Sequence, residues 1–393
     1  MPKRIFITVG EVSGDEHAAS LVRALRQVDP DIIIEGHGGD AMREAGVIVH
    51  RETVKTAAMV VKAVTKAVEV WKMIRWTRNY YRQNKFDLHI CIDSSGMNLH
   101  FAKMAKSSGV PVLYYVAPQL WASRERRIKQ VRKYVDRIAC ILPFEEDYYR
   151  TRGVTATFVG HPLFDQMPIN HPVAKYPIAF LPGDQSAPVV GLMPGSRKAE
   201  VVANWPHLLE VASEIQHVYP RVRFQVPTTS TTHERVRMMA DQWTATSNRK
   251  LDLEIEAKAL DKFAPGWDLC IAKSGTTTLA VAAYQVPMIV VYRLSKAMWN
   301  LLGRWVIKTP SIALVNILAE RSPAHSGSPR FRIVPEIIPW NGPNKPVADL
   351  AIALLASADK RADQQANIKK LLATIDKRGA SQKTAEIVIE MTR

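Results

Sequence analysis

The first chemistry this chain offers is an arginine behind a tight turn. Gly191 to Lys198, GLMPGSRK, leaves an apolar run and enters a helix-like segment. Pro194 and Gly195 force the turn, the Ser196 hydroxyl and nearby N–H groups can face an anion, and Arg197 meets it with a planar donor fork. Such a loop suits a nucleotide diphosphate. Further on, CIAKSGTTTLA (Cys270 to Ala280) runs from an apolar strand into a helix through Ser274, Gly275 and Thr276. Its free N–H groups and positive helix end also suit phosphate. Either loop alone reads equally well as an ordinary strand-to-helix cap. Two of them in one half favour phosphate.

The first half carries a different set. The turn Gly10-Glu11-Val12-Ser13-Gly14-Asp15 follows an apolar run and opens a helix, but it lacks the spacing of the dinucleotide fingerprint. Small residues there, Gly14 among them, let a substrate approach the backbone. Asp93 in CIDSSGMN is the first charge after its apolar run, which puts a carboxylate at the end of a strand; a helix N-cap or a salt bridge would use the same residue. An aromatic stretch, Tyr114 to Trp121, leads into the basic run Arg124 to Lys133. His17, three residues past Gly14, could contact a substrate or simply face solvent.

These groups need a scaffold, and its pattern is legible. Apolar runs at Ile5 to Val9, Ile32 to Ile34, Leu88 to Ile92, Val112 to Val116 and Ile138 to Leu142 alternate with helical patterns, the mark of a parallel sheet covered on both faces. A second series comprises Val189 to Met193, Val222 to Val226, Leu269 to Ala272 and Met288 to Tyr292. The chain of 393 residues is too long for one typical core. The expected class is therefore α/β, with two Rossmann-like, doubly wound domains facing a cleft. Residues 1–166 form the first domain, 167–188 a proline-rich linker, 189–345 the second domain and 346–393 a helical tail. Ligands in such sheets bind at the carboxyl ends of the strands, where the groups named above fall.

Composition narrows the class further. The 53 Lys plus Arg against 37 Asp plus Glu leave a net charge of +16, a field that favours phosphorylated substrates, anionic lipid surfaces or polyanions. No nucleic-acid recognition motif accompanies it. Cys91, Cys140 and Cys270 lie in apolar runs without metal-ligand spacing and read as reduced core thiols of a cytosolic protein. The N-terminal apolar run is too short for a signal peptide, and no uncharged apolar run reaches about 18 residues, so any membrane contact is peripheral. Two stretches could make it. Ala57 to Arg82 carries Trp71 and Trp76 among six basic residues, and Leu294 to Lys308 carries Trp299 and Trp305. Both read alternatively as amphipathic core helices with solvated basic faces.

Taken in order, GEVSGD, CID with Asn98 five residues after its aspartate, YYVAPQLWASRERR, LPFEEDYY, FVGHPLFD, LMPGSRKAEV, AKSGTTTLA, PMIVVYR and LVNILAER resemble the lipid-A-disaccharide synthase family from about Arg4 to Arg321. The resemblance implies a GT-B fold whose C-terminal helix packs back on the first domain. It implies attack by the 6-hydroxyl of 2,3-diacylglucosamine 1-phosphate on C1 of UDP-2,3-diacylglucosamine, with inversion and release of UDP, at the cytoplasmic face of the inner membrane. By it Asp93 is the candidate base and Arg197 the diphosphate partner. Ser274, Gly275, Thr276 and Asn316 lie near UDP, and His161 of Gly160-His161-Pro162 takes a site role, as does Asn98. No metal motif of the DxD kind stands where one would be needed, so arginine and helix dipoles are expected to replace a divalent cation; no cofactor is implied. A homodimer stays open.

The chain also departs from the family pattern. Where the family has roughly D-A-P-D-F-N, this sequence has Asp93-Ser94-Ser95-Gly96-Met97-Asn98. Where T-A-A-L-E ends in a glutamate placed to grip the ribose, Ala280 stands instead. A paralogue using another UDP-sugar and an inactive lipid-binding relative therefore remain readings of the sequence, and a UDP-sugar epimerase would share the fold without the ordered motifs.

Overall fold

A computed structural model describes residues 2–54, 63–168, 171–183, 187–275, 277–293, 309–322 and 332–393. The chain divides into two compact units, Met1–Met167 with Ile375–Arg393 and Pro168–Thr374.

The first unit is built on seven parallel strands: β1 (Arg4–Val9), β2 (Ile33–Gly38), β3 (Ile48–Glu52), β4 (Leu88–Ile92), β5 (Val112–Tyr115), β6 (Arg137–Cys140) and β7 (Ala156–Phe158), in the order β3-β2-β1-β4-β5-β6-β7. Strand β4 is buried from end to end, as an apolar run covered on both faces must be. The helices are α1 (Val12–Val28), α2 (Asp40–Glu44), α3 (Ala63–Gln83), α4 (Ser95–Ser107), α5 (Ile128–Tyr134), α6 (Pro143–Arg150) and α7 (Pro162–Gln166). Sequence order reverses between β1 and β4, and a sheet of this kind opens its binding crevice there, at the carboxyl ends of those two strands.

The second unit repeats the plan with β8 (Val189–Met193), β9 (Arg223–Thr228), β10 (Leu253–Ala257), β11 (Leu269–Lys273), β12 (Met288–Val291) and the short β13 (Glu336–Ile337), ordered β10-β9-β8-β11-β12-β13. Its reversal lies between β8 and β11. The helices here are α8 (Lys198–Val218), α9 (His233–Ser247), α10 (Leu260–Phe263), α11 (Thr277–Ala283), α12 (Leu314–Glu320), α13 (Lys345–Leu355) and α14 (Ala358–Ile375). The core packs Trp205, Leu208 and Leu209 of α8 with β8 and β9 residues and with Val347, Ala351 and Leu355 of α13. Part of 171–183 is tied to this unit: Ala174 N–H donates to the Tyr284 carbonyl, Phe180 N–H donates to that of Leu355, and the buried Arg361 guanidinium donates to the Ile178 carbonyl.

The last helix, α15 (Ala380–Met391), packs on α1 within the first unit. Its N-terminus is capped by Asp165, whose carboxylate accepts from the N–H groups of Gly379, Ala380 and Ser381. Cys91, Cys140 and Cys270 are all buried and free.

Candidate active site

Both strand-order reversals carry the residues that the sequence marks for chemistry. In the first unit the turn after β1 meets the turn after β4. Gly14 is buried, and a Cβ there would lie 2.9 Å from Val9 Cγ1, so glycine lets the first turn of α1 close onto the end of β1, with Asp93 Cβ at an ordinary contact distance of 3.6 Å. Asp15 beside it is a scaffold residue. Its carboxylate accepts from the N–H groups of Gly39 at 2.8 Å and Ala41 at 2.9 Å at the start of α2. Burial pushes that carboxyl above the usual aspartate range against the lowering effect of those bonds.

Asp93 itself sits in a left-handed backbone conformation, φ +52°, and Ser94 follows at φ +43°. Two successive non-glycine residues in this region cost about 1–2 kcal/mol each, less for aspartate, and persist only where neighbours hold them. Here they are held: the Asp93 carbonyl accepts from the Tyr114 phenol at 2.6 Å and from Asn98 Nδ2 at 2.9 Å, and Asp93 N–H donates to the Tyr115 carbonyl at 3.2 Å. The result is a partly exposed aspartate whose backbone is fixed just past the carboxyl end of β4.

Asn98, given a site role by the resemblance, faces the protein interior. It is fully buried, its Nδ2 donating to the carbonyls of Thr8, Ile92 and Asp93 and its Oδ1 accepting from the Thr8 hydroxyl. Its role is to shape the Asp93 turn. His161 is also turned inward. It is 5% exposed and caps α7 through Nδ1, which accepts from Leu163 N–H at 3.2 Å. Burial, with a smaller effect from His17, pulls its pKa to about 3, so the ring is neutral near pH 7. His17 is partly buried, and burial pulls its pKa to about 4, with Asp165 opposing.

In the second unit the loop after β8 turns at Gly195, φ +124°, where a Cβ would lie 2.7 Å from the Glu200 side chain. Glu200 is the organiser of this loop. Its Oε2 accepts from Ser196 N–H at 3.1 Å and Arg197 N–H at 3.4 Å, and its Oε1 accepts from the Lys273 ammonium at 2.8 Å. Burial would raise its pKa, but the Lys273 bond and charge, with Arg197, outweigh it and hold the carboxyl below the ordinary value. Arg197, 66% exposed, keeps Nη1 3.8 Å from Glu200 Oε1. Ser274 is nearly buried, its hydroxyl donating to the Ile312 carbonyl at 3.3 Å, and Gly275 beyond it is exposed.

Asn316 likewise faces the interior. It is fully buried: Oδ1 accepts from the N–H groups of Ile333 and Val334, and Nδ2 donates to the Val334 carbonyl and to Glu336. It clasps α12 to the approach to β13 and leaves no polar atom for a nucleotide. Trp76 is partly buried, stacked on Tyr80 with centroids 5.0 Å apart and packed against His50 and the first-unit core. Trp71, five residues earlier, is 57% exposed under the Arg75 guanidinium. Thr276, Trp299 and Trp305 lie outside the described residues, as do 57–62 of the first basic stretch and 294–308.

The structure thus gathers Gly14 and Asp93 in one unit and Ser196, Arg197, Ser274 and Gly275 in the other. It adds Tyr114, Glu200 and Lys273, which the sequence reading left unassigned. A signal existed for two of them: Lys273 is the charge that ends an apolar strand, and Glu200 stands three residues past Arg197, the spacing of a capping acid. Among the described residues no group of three or more His, Cys, Asp or Glu could hold a metal ion, and no helix is long and apolar enough to cross a membrane.

The family model for lipid-A-disaccharide synthetase matches residues 5–389. A lipid-A-disaccharide synthase of Trichlorobacter lovleyi is 36% identical over 323 residues, covering 81% of this chain and 82% of the relative. One of Myxococcus xanthus is 30% identical over 392 residues, covering 99% of this chain and 98% of the relative. Among solved structures, a complex of Staphylococcus aureus MnaA with UDP superposes with a TM-score of 0.62 at 13% identity, covering 99% of this chain and 96% of that one. The glycotransferase of kitacinnamycin gives 0.60 at 14% identity and covers 99% of each chain. At that identity these two speak for the fold alone, which is GT-B. The match along nearly the whole chain and the full-length relatives decide the family: the chain belongs to the lipid-A-disaccharide synthases.

Proposed function

We propose that this protein is the hexosyltransferase that forms the lipid A disaccharide, joining UDP-2,3-diacylglucosamine to 2,3-diacylglucosamine 1-phosphate through a β-1,6 bond and releasing UDP. The observation that supports it best is positional. The residues matching the family's catalytic motifs, Asp93 and Arg197, stand at the two strand-order reversals, where parallel sheets bind ligands.

In this reading the 6-hydroxyl of the acceptor gives its proton to Asp93 as its oxygen attacks C1 of the donor. The C1–O bond to UDP breaks on the opposite side, which inverts the anomeric centre, and the electron pair leaves with the diphosphate. Charge then grows on the diphosphate, where the Arg197 fork and the loop ending in Ser274 and Gly275 meet it. Preset geometry at Asp93 raises the effective concentration of the base. The substrates' acyl chains place the reaction at a membrane surface, and we assign docking on the inner membrane's cytoplasmic face to the outer side of α3, where Trp71, Lys72, Arg75, Arg78 and Arg82 are exposed.

The deciding experiment incubates purified protein with both lipids and reads the product by mass. A disaccharide 1-phosphate with stoichiometric UDP is expected. Turnover of a different UDP-sugar with none of this donor would replace the substrate assignment, and UDP release without disaccharide would remove the acceptor.

A further inference from the structure

We infer that Lys273 is a positioning residue for sugar transfer: by neutralising Glu200 it keeps the loop between β8 and α8 receptive to a diphosphate. The inference rests on the reading that the UDP diphosphate lies against the loops after β8 and β11.

Glu200 answers the N–H groups of Ser196 and Arg197, just ahead of α8, from within the chain, which fixes the loop. That arrangement has an electrostatic drawback. A carboxylate in the first turn of α8 faces the same region as the incoming phosphates and repels them. Lys273 removes the drawback. Its side chain is only 13% exposed, its Nζ lies 2.8 Å from Glu200 Oε1, and its charge sits 4.9 Å over the Tyr292 ring, so rotation away from Glu200 is restricted on two sides. With Lys273 present, the trio Arg197, Glu200 and Lys273 carries one net positive charge. Without it the trio carries none, and the exposed Arg197 is drawn toward Glu200, which already stands 3.8 Å away. The lysine also bridges strands, since it ends β11 and Glu200 belongs to α8 beyond β8, so it sets the spacing of the two loops.

The test is a four-variant comparison of UDP affinity by calorimetry, with donor KM and kcat measured on the same proteins. Lys273→Met should weaken UDP about tenfold or more and raise donor KM more than it lowers kcat. Adding Glu200→Gln to Lys273→Met removes the uncompensated acid and should recover most of the affinity, whereas Lys273→Arg keeps the charge and should stay within a few-fold of wild type. Arg197→Ala serves as the reference for the diphosphate site. If Arg197→Ala loses UDP while Lys273→Met does not, the inference fails and the site stands. If neither loses UDP, the diphosphate lies elsewhere and the underlying reading fails. A double variant no better than Lys273→Met would show that Lys273 acts by touching the ligand itself, which overturns neutralisation as its role. Should Lys273→Met not fold, Lys273→Arg and Glu200→Gln decide the matter: Glu200→Gln alone should bind UDP at least as tightly as wild type if it folds with the same loop, and weaker binding by it together with loss by Lys273→Arg overturns the inference.

Discussion

The phenol of Tyr114 donates to the main-chain carbonyl of Asp93 across 2.6 Å, from the end of the neighbouring strand. That bond is aimed at a backbone rather than a side chain, and it secures the left-handed turn at Asp93 and Ser94. Tyr114 is wholly buried, and burial pushes its phenol well above the usual range, so it remains a donor at any working pH. Tyr114→Phe should keep substrate KM and lower kcat by about 10- to 100-fold, because a small displacement of a catalytic base is amplified in rate. An unchanged kcat would mean that Asn98 alone holds the turn.

Asp93→Asn and Arg197→Ala address the reaction directly. If Asp93 is the base and Arg197 the diphosphate partner, each substitution removes an interaction made in the transition state, so turnover should fall by about 10²-fold or more with the fold intact. Steady-state rates on both substrates provide the check, and near-native turnover in either variant would cancel that residue's role.

The strands that the sequence made visible are those buried on both faces. The apolar run Val189 to Met193 coincides with β8, and Leu88 to Ile92 with β4. Edge strands β3 and β10 escaped because none of their residues is buried, so polar residues interrupt them and leave no long apolar run to see. Polar motif residues were harder. Asn98 and Asn316 look like ligand contacts in a string of letters, yet each satisfies buried backbone groups, and nothing in one dimension separates a side chain kept for a ligand from one kept for the chain. Trp71 and Trp76 were separable in principle. Five residues at about 100° each put them roughly 140° apart around a helix, too far for one membrane-facing stripe.

Ala280 tests how the nucleotide is held. It lies on α11, close behind Ser274 and Gly275, and is partly exposed. If the ribose lies along this helix, Ala280→Glu supplies an acceptor for its hydroxyls and should tighten UDP by about tenfold or more, since one net hydrogen bond to a charged group contributes about 1.5–3 kcal/mol. Calorimetric titration of UDP reads it. Weaker or equal binding would place the ribose elsewhere.

Acid should loosen the first unit before carboxylates titrate. Burial holds His37 and His89 at about 3, each in a fixed bond: His37 Nε2 with the Thr77 hydroxyl at 2.8 Å, and His89 between the Thr8 hydroxyl and the Tyr81 phenol. Their folded values lie below the unfolded value of about 6.5, so between these limits the unfolded chain binds the extra protons. Stability is therefore full above about pH 6.5 and declines as pH falls toward 3, by about 1.4 kcal/mol per histidine per pH unit. Hydrogen exchange at β1 and β4 amides, corrected for intrinsic rates, should show protection falling from pH 7 to 5.5. Constant protection over that interval would show that these rings are not held neutral.

Helix α3 offers the clearest division of labour, because its two tryptophans should answer the same substitution in opposite ways. Trp71 is exposed beside Lys72 and Arg75, whereas Trp76 is stacked on Tyr80 and packed against the core. If the outer face docks on anionic lipid, insertion of Trp71 adds to attraction of about 1 kcal/mol per nearby basic residue. Trp71→Ser should then release the protein from acidic liposomes, with the melting temperature and UDP affinity unchanged. Trp76→Ser should leave lipid binding of the folded fraction alone and destabilise by about 2–4 kcal/mol, as removal of a packed aromatic does. Raising salt should weaken wild-type binding, since part of the attraction is screened. Retention of Trp71→Ser on the liposomes at low salt would take the membrane off this face of the helix.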